Sequence, residues 1–184
     1  AETVGRLVAA FEEIARVCLD NTLVLERLQG TGRLTMRTAR EMGVVGLVAR
    51  ASGVDVDLRR DAPFAAYADL EVTPAVYPQG DVWARTMVRL DEAREAARLI
   101  AVTAQRLPGG AARVPLPPLP VGGDALSCVE AWRGPVWYWV RAAGPDTLRR
   151  VKIVDPSFRN WPALELAVLD NIVPDFPLCN KSFN

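Results

Sequence analysis

The C-terminal stretch DFPLCNKSFN places Asp175, Pro177 and Cys179 two residues apart each time. A carboxylate, a proline and a thiolate in that order suit a turn that offers ligands to a soft metal, where four donors are the usual need. They equally suit a terminal loop with one buried thiol. In VEAWRGPVW, Glu130 and Arg133 flank a tight turn. A guanidinium fixed there by two strands is a donor fork for an anion, or simply an exposed arginine. In RVKIVDPSFRN, Ser157 follows a strand end. Its hydroxyl and the nearby backbone amides can bind a small acceptor, or cap the next helix. Arg85 and Arg89 sit four residues apart on one predicted helix. Like charges at that spacing repel, so either an anion lies between them or both are solvated.

Composition removes several classes of chemistry. There is no histidine, which excludes a Ser-His-Asp triad, a Cys-His pair and any His-ligated zinc site within these residues. The three cysteines, Cys18, Cys128 and Cys179, are too few and too scattered for a disulfide framework and suit a reducing compartment. Lys plus Arg equals Asp plus Glu at 22 each, so no net positive field draws nucleic acid or an anionic membrane. No apolar run approaches the ~20 residues that cross a bilayer, and no secretory signal pattern opens the chain.

The elements that must position these groups follow from periodicity. Val4, Leu7, Val8, Phe11, Ile14, Ala15, Cys18, Leu19, Thr22 and Leu25 mark one face of a helix over residues 2–28, with Cys18 read as a small core residue. Gln29 to Gly32 ends it. A short helix is predicted over Thr35–Met42, a polar loop over VARASGVDVDLRRDAPF, and a helical turn at 64–69. Asp81 caps or opens a second long helix that runs to Leu107. Its apolar stripe is Trp83, Met87, Leu90, Ala97, Ile100 and Ala104, and its wet side carries the pairs Asp91–Arg94 and Glu95–Arg98. LPGGAARVPLPPLPVGGD, near residues 108–124, is a Pro/Gly linker. Residues 127–141 form a hairpin about a Gly134-Pro135 turn, and Arg150–Val154 adds a strand. Trp161–Ile172 is the last helix, ended by Pro174. The fold class is α+β, predominantly helical: two long helices and a small antiparallel sheet near residues 127–155. The parts are a helical stretch 1–107, the linker, and a sheet-plus-helix unit 125–184.

Taken in order, GTGRLT, AREMGVVGLVARASGVDVDLRRDAPFAAYADL, GDVWARTMVRLDEARE, VEAWRGPVWYWV, RVKIVDPSF and DNIVPDFPLC resemble the large subunit of nickel–iron hydrogenases. They are most similar to its relatives in respiratory complex I (NADH:quinone oxidoreductase) and in formate-hydrogenlyase-type membrane-bound hydrogenases. The resemblance covers nearly the whole chain, the Pro/Gly linker excepted. It implies that the chain is the C-terminal two-thirds of such a subunit, cut at both ends. In true hydrogenases two Cys-x-x-Cys pairs hold the metals, and an arginine and a Ser/Thr bind the cyanide ligands on iron. Here those last two positions match Arg133 and Ser157, with Trp132 in place of the family proline. The metal pattern departs: three residues after Cys179 stands Ser182, Phe176 and Leu178 interrupt the Asp-Pro-Cys order, and Cys18 and Cys128 do not match the upstream pair.

The resemblance therefore implies a metal-free, complex I-like subunit without nickel–iron. It would shape a redox and quinone cavity beside an iron–sulfur subunit, peripheral on the cytoplasmic face of the membrane through its partners. Arg50 and Arg59 approach that cavity, whereas Asp55, Asp57, Arg60 and Asp61 stay at the surface. Arg85, Arg89, Glu130 and Asp175 are further cavity candidates. The quinone-binding His and Tyr of the family lie in a portion upstream of these residues, so the fragment alone binds quinone poorly and does not turn over. Two alternatives remain: an active hydrogenase large subunit with Cys179 as a ligand, and a metal-free scaffold. Trp132 with Trp137, Tyr138 and Trp139 predicts exposed aromatic surface, because strand neighbours alternate faces.

Overall fold

The structure, a computed structural model, describes residues 2–111, 113–115 and 117–184. Helix α1 (Glu2–Leu19) is followed by α2 (Thr22–Leu28). The expected single helix over 2–28 is broken because Asn21 starts a new one: its Oδ1 accepts from the amides of Leu23 and Val24. Cys18 is exposed rather than in the core, since α1 buries only Ala15.

Helix α3 (Met36–Met42) is capped by the Thr35 hydroxyl and closed by Gly43 in the left-handed conformation. The predicted polar loop is helical at both ends of its length. Helix α4 (Gly46–Ala51) is buried at every position, and a single turn, α5 (Leu58–Asp61), starts at Asp57. A 3-10 turn at Ala65–Asp69 leads toward α6 (Val82–Arg106). Asp81 caps α6 through Oδ1 to Ala84 N, and its Oδ2 accepts from Gly30 N. The predicted pairs Asp91–Arg94 and Glu95–Arg98 form, each at 2.7 Å. The buried face of α6, however, is Val82, Ala84, Arg85, Val88, Glu92 and Leu99, not the purely apolar stripe; Ile100 of that stripe is exposed. Two charged residues displace it because both find partners inside.

The Pro/Gly linker carries no regular structure at its described positions up to Gly123, Asp124 already belonging to the sheet; residues 112 and 116 lie outside the described ones. Strands β1 (Asp124–Ala131), β2 (Gly134–Gly144) and β3 (Thr147–Val154) form an antiparallel meander. The first turn is Trp132-Arg133, not Gly134-Pro135, because Gly134 already pairs with Ala131 and Pro135 with Glu130. The last predicted helix starts earlier, as α7 (Ser157–Ala167). Pro162 lies past the first turn of α7 and has no N–H to give the Phe158 carbonyl, so the helix carries it at the loss of one ladder bond. After a 3-10 turn at Val173–Asp175, the terminal segment is itself a short helix, α8 (Phe176–Ser182), neither loop nor open turn.

The main core lies between α3, α4, α6, α7 and α8, and alanines at 39, 49, 51, 84, 163 and 167 let these helices approach closely. The sheet docks on this core through its first turn. Buried Asn160 joins three pieces: its Oδ1 accepts from Val45 N at 2.9 Å, and its Nδ2 donates to Arg133 O at 3.2 Å. Away from that point much of the sheet is open on both faces, Ala142 being buried beside residues 122 and 123. Neighbouring Trp137 and Tyr138 point to opposite sides, yet are 38% and 44% exposed, and Trp132 is 48% exposed, as strand alternation requires.

The closest approach of sheet to core is at Gly46, whose φ is +60°. A Cβ there would run into the backbone carbonyl of Arg133. Gly46→Ala is expected to cost at least ~1–2 kcal/mol from the left-handed backbone alone, with the clash added, and to lower the urea unfolding midpoint. An unchanged midpoint would show that the turn does not dock on α4.

Candidate functional site

The candidate residues gather into three groups. The first lies behind the β1–β2 turn. Arg50 and Asp57 are fully buried, and the side chains of Glu92, Glu130 and Arg59 are 8%, 3% and 13% exposed. Arg50 Nη1 donates to Glu130 Oε1 at 3.1 Å and to Val56 O at 3.2 Å, and lies 3.4 Å from Asp57 Oδ2. Arg50 Nη2 lies 2.5 Å from Glu92 Oε1. Neither of those two atoms makes an aligned hydrogen bond, so the contact is one of charge. Asp57 is the anchor: it accepts from Arg59 N and Nε at 2.9 Å each and from Arg59 Nη2 at 2.5 Å. Glu130 Oε2 accepts from Leu58 N. Asp57 thus belongs inside, correcting its expected surface position, whereas Asp55, Arg60 and Asp61 form a half-exposed trio of ion pairs.

The electrostatics divide the three carboxylates. Burial pushes Asp57 up, but the hydrogen bond from Arg59 and the charge of Arg50 outweigh it and leave it below its ordinary range. Burial pushes Glu92 up, and the charges of Arg50 and Arg59 only partly oppose it. Burial also pushes Glu130 up against the pull of Arg50, with Asp57 adding to the rise. Glu92 was not among the residues the sequence suggested. The available signal is its place seven residues after Arg85, with Val88 between, on one helical face.

The second group holds the terminal helix. Arg85 is fully buried and donates Nε to Ser182 Oγ at 2.9 Å, Nη1 to Gly80 O and Nη2 to Gly32 O, both at 2.7 Å. Its guanidinium lies over the Phe183 ring at 4.7 Å. Burial lowers its pKa, yet an arginine remains protonated at neutral pH. Arg89 donates Nη2 to Ser182 O and Asn184 O at 2.7 and 2.6 Å. Neither arginine is a freely solvated cation, and neither holds a side-chain anion: backbone carbonyls take their place. Cys179 is fully buried beside Arg85, and burial pushes its thiol up despite that charge. A Cβ on Gly32 would come within 2.7 Å of Cys179 Sγ. Asp175 pairs with Arg27 at 2.7 Å.

The residues do not fit a nickel–iron centre. The single thiol of the terminal segment is packed against a guanidinium. Ser182, at the place of the second thiol, has its hydroxyl engaged with Arg85 Nε and Cys179 O. Among the described residues no group of three or more His, Cys, Asp or Glu side chains is arranged to hold a metal ion.

The third group brings Arg133 and Ser157 to one open cavity of about 550 Å³, with Asp155, Phe158 and Trp161. Asp155 accepts from Ser157 N at 2.8 Å and lies 3.8 Å from Arg133 Nη2, and hydrogen bonding from Ser157 holds its carboxyl low. Arg133 Nη1 donates to Asn184 Oδ1 at 2.6 Å and otherwise faces the cavity half-exposed. This pair can receive an anion or a carbonyl oxygen.

Two outcomes follow. Arg50→Ala leaves three buried carboxylates with a single cation, Arg59, committed to Asp57, and should cost ~3–5 kcal/mol of stability in a denaturant titration; a loss below ~1 kcal/mol would mean that the group is hydrated. With a maleimide reagent on the folded chain, Cys18 should label fast and Cys179 only after unfolding, because the first is exposed and the second is buried with a raised pKa. Fast labelling of Cys179 would contradict its packing against Arg85.

A family model described as the respiratory-chain NADH dehydrogenase, 49 Kd subunit, matches residues 1–118. The chain is 34% identical over 174 residues to the carbon monoxide-induced hydrogenase of Rhodospirillum rubrum, covering 94% of this chain and 48% of that protein. It is 34% identical over 145 residues to an NADH-quinone oxidoreductase subunit of Desulfotalea psychrophila, covering 77% of this chain and 39% of that one. It is 30% identical over 180 residues to an F(420)H(2) dehydrogenase subunit of Methanosarcina mazei, covering 93% and 48%. In three dimensions it matches a chain of the membrane-bound sulfane sulfur reductase, an archaeal respiratory membrane complex. That match has a TM-score of 0.83 and 29% identity, over 97% of this chain and 51% of the other. The chain spans less than half the length of these three curated relatives. A match over residues 1–118 and a shared α+β fold across the rest lead to one conclusion: this chain belongs to the family of the 49 Kd subunit of respiratory-chain NADH dehydrogenase.

Proposed function

We propose that this chain is the part of a hydrogenase-related respiratory subunit that shapes one side of a quinone-reducing cavity beside an iron–sulfur partner. In the intact complex it sits on the cytoplasmic face of the membrane, held by partner subunits. No helix of the described residues is long and apolar enough to cross a bilayer, which fits a peripheral place. Quinone, when bound in the complex, accepts the electrons. This chain's own contribution is positional: Arg133 and Ser157 present a cation and a hydroxyl to one cavity, and the terminal helix closes behind them.

The observation that carries this reading over an active hydrogenase is the packing of Cys179 and Ser182 against Arg85. A thiol beside a buried guanidinium, with a serine hydroxyl in place of the second thiol, suits the metal-free branch of the family. One of the relatives is named a hydrogenase, so that activity stays the second reading, with Cys179 its single candidate ligand. A scaffold without a redox role needs the same fold but no functional use of Arg133.

The discriminating experiment is Arg133→Ala in the whole complex. Removing a charged donor from the cavity should lower quinone-dependent turnover on the order of tenfold or more, with assembly unchanged on a native gel. Full turnover in an intact complex would favour the scaffold. Nickel retained stoichiometrically by the purified complex on this subunit would overturn the metal-free reading.

A further inference from the structure

The buried group around Arg50 has a charge count that does not close. Arg50 comes from α4, Asp57 and Arg59 from α5 and its cap, Glu92 from α6 and Glu130 from β1. Three carboxylates face two guanidinium groups, so the fully ionised group carries one net negative charge in a place almost sealed from water. An uncompensated charge there is costly, and the usual remedy is neutralisation.

Geometry selects which carboxylate a proton from outside can reach. Asp57 takes three hydrogen bonds from Arg59. Glu92 Oε1 has guanidinium nitrogens at 2.5 and 3.9 Å, from Arg50 and Arg59, but takes no aligned hydrogen bond. Glu130 has one guanidinium nitrogen, Arg50 Nη1 at 3.1 Å, shared with Val56 O and Asp57, and its other oxygen accepts from Leu58 N at 3.3 Å. Arg50 Nε is buried with no acceptor, so the cation of the group is not fully used either. It is Glu130 that has a route outward. It lines a cavity of about 300 Å³ with largely apolar walls, among them Val44, Ala49, Val54 and Pro135.

We propose that this group is a proton-holding site, in which one proton arrives through the cavity and resides on the Glu130 carboxyl. The step is carboxylate plus proton giving carboxylic acid, which takes the group from one net negative charge to neutral; release reverses it, and no other bond changes. Every charged neighbour of Glu130 has a stated sign. Arg50 and Arg59 favour the carboxylate, as do Arg40 and Arg159, which line the cavity. Asp57 and Glu92 favour the acid, and Cys128 on the same strand is itself pushed up by burial and by Glu130. Burial, the largest influence on Glu130, acts in the same direction as the charge count. The site stands on this geometry and does not depend on which molecule accepts electrons, so its failure is separate from failure of the quinone reading.

The test is infrared difference spectroscopy on the whole complex between acid and alkaline pH, in water and in D2O. The wild type should show the carbonyl stretch of a buried protonated carboxylic acid at neutral pH, shifted in D2O and lost on raising pH. Glu130→Gln should lack it, whereas Glu12→Gln, which removes an exposed partner of Arg94, should keep it. An identical band in Glu130→Gln, or its loss only in Glu92→Gln, would overturn the assignment. If Glu130→Gln does not assemble, the wild type still decides: no D2O-sensitive acid band near neutral pH refutes the proposal. Stability supplies a second readout. A carboxyl raised in the folded state contributes most below its ordinary value of 4.5 and loses that contribution as pH rises through the raised value. Glu130→Gln, a permanently neutral mimic, should therefore lose less stability than the wild type on that alkaline limb; parallel curves would refute the site.

Discussion

A guanidinium can leave water only where its N–H groups meet acceptors and its charge meets a counter-charge. This chain buries two completely, Arg50 and Arg85, and much of the architecture around them answers that demand. For Arg85 the answer is backbone: the turns at Gly32 and Gly80 each turn a carbonyl inward, and the terminal helix supplies Ser182. For Arg50 the answer is carboxylate: the cap of α5, the middle of α6 and the end of β1 converge on it. Helix α6 serves both, since Arg85 and Glu92 lie on its inner face. Removing either guanidinium would leave polar groups from several elements facing a cavity.

That demand also explains what could be read from the sequence. Asp81 as a cap, the pairs Asp91–Arg94 and Glu95–Arg98, the helix at Thr35–Met42 and the three-stranded meander were legible because each depends on residues close in sequence. The stripe on α6 misled because periodicity weighs only apolar residues, and the face that is buried carries Arg85 and Glu92. The same blindness makes VARASGVDVDLRRD read as a polar loop. Its first residues are among the most deeply buried in the molecule, and its Asp57 is bound on three sides by Arg59. Cys18 shows the converse: its stripe is helical and apolar, but only the edge with Ala15 is buried, and Cys18 lies off that edge.

The exposed apolar surface has a pattern too. On the sheet, Leu126, Trp137, Tyr138, Leu148, Val151 and Ile153 are all open, on both faces. A sheet with two uncovered faces gains little from burial and depends on its attachment point. Here that point is narrow: Gly46 against the Arg133 carbonyl, Asn160 bridging Val45 and Arg133, and Glu130 reaching Arg50. The attachment is thus polar and directional rather than a broad apolar contact. It fixes where Arg133 stands more tightly than it fixes the far end of the hairpin.

The two arginine centres differ in one respect that decides what each can do. Around Arg85 the acceptors are neutral carbonyls and a hydroxyl, which cannot change charge in the physiological range, so that centre holds the terminal helix at any ordinary pH. Around Arg50 the acceptors are carboxylates in excess, two of them pushed upward by burial, so its charge can change by one proton without a change of fold. Both centres draw on α6, and both end at the β1–β2 turn: Glu130 at its entrance, and Arg133 through Asn184 just beyond the terminal helix. Glu130 and Arg133, three residues apart, thus bring the two centres to one turn of the sheet.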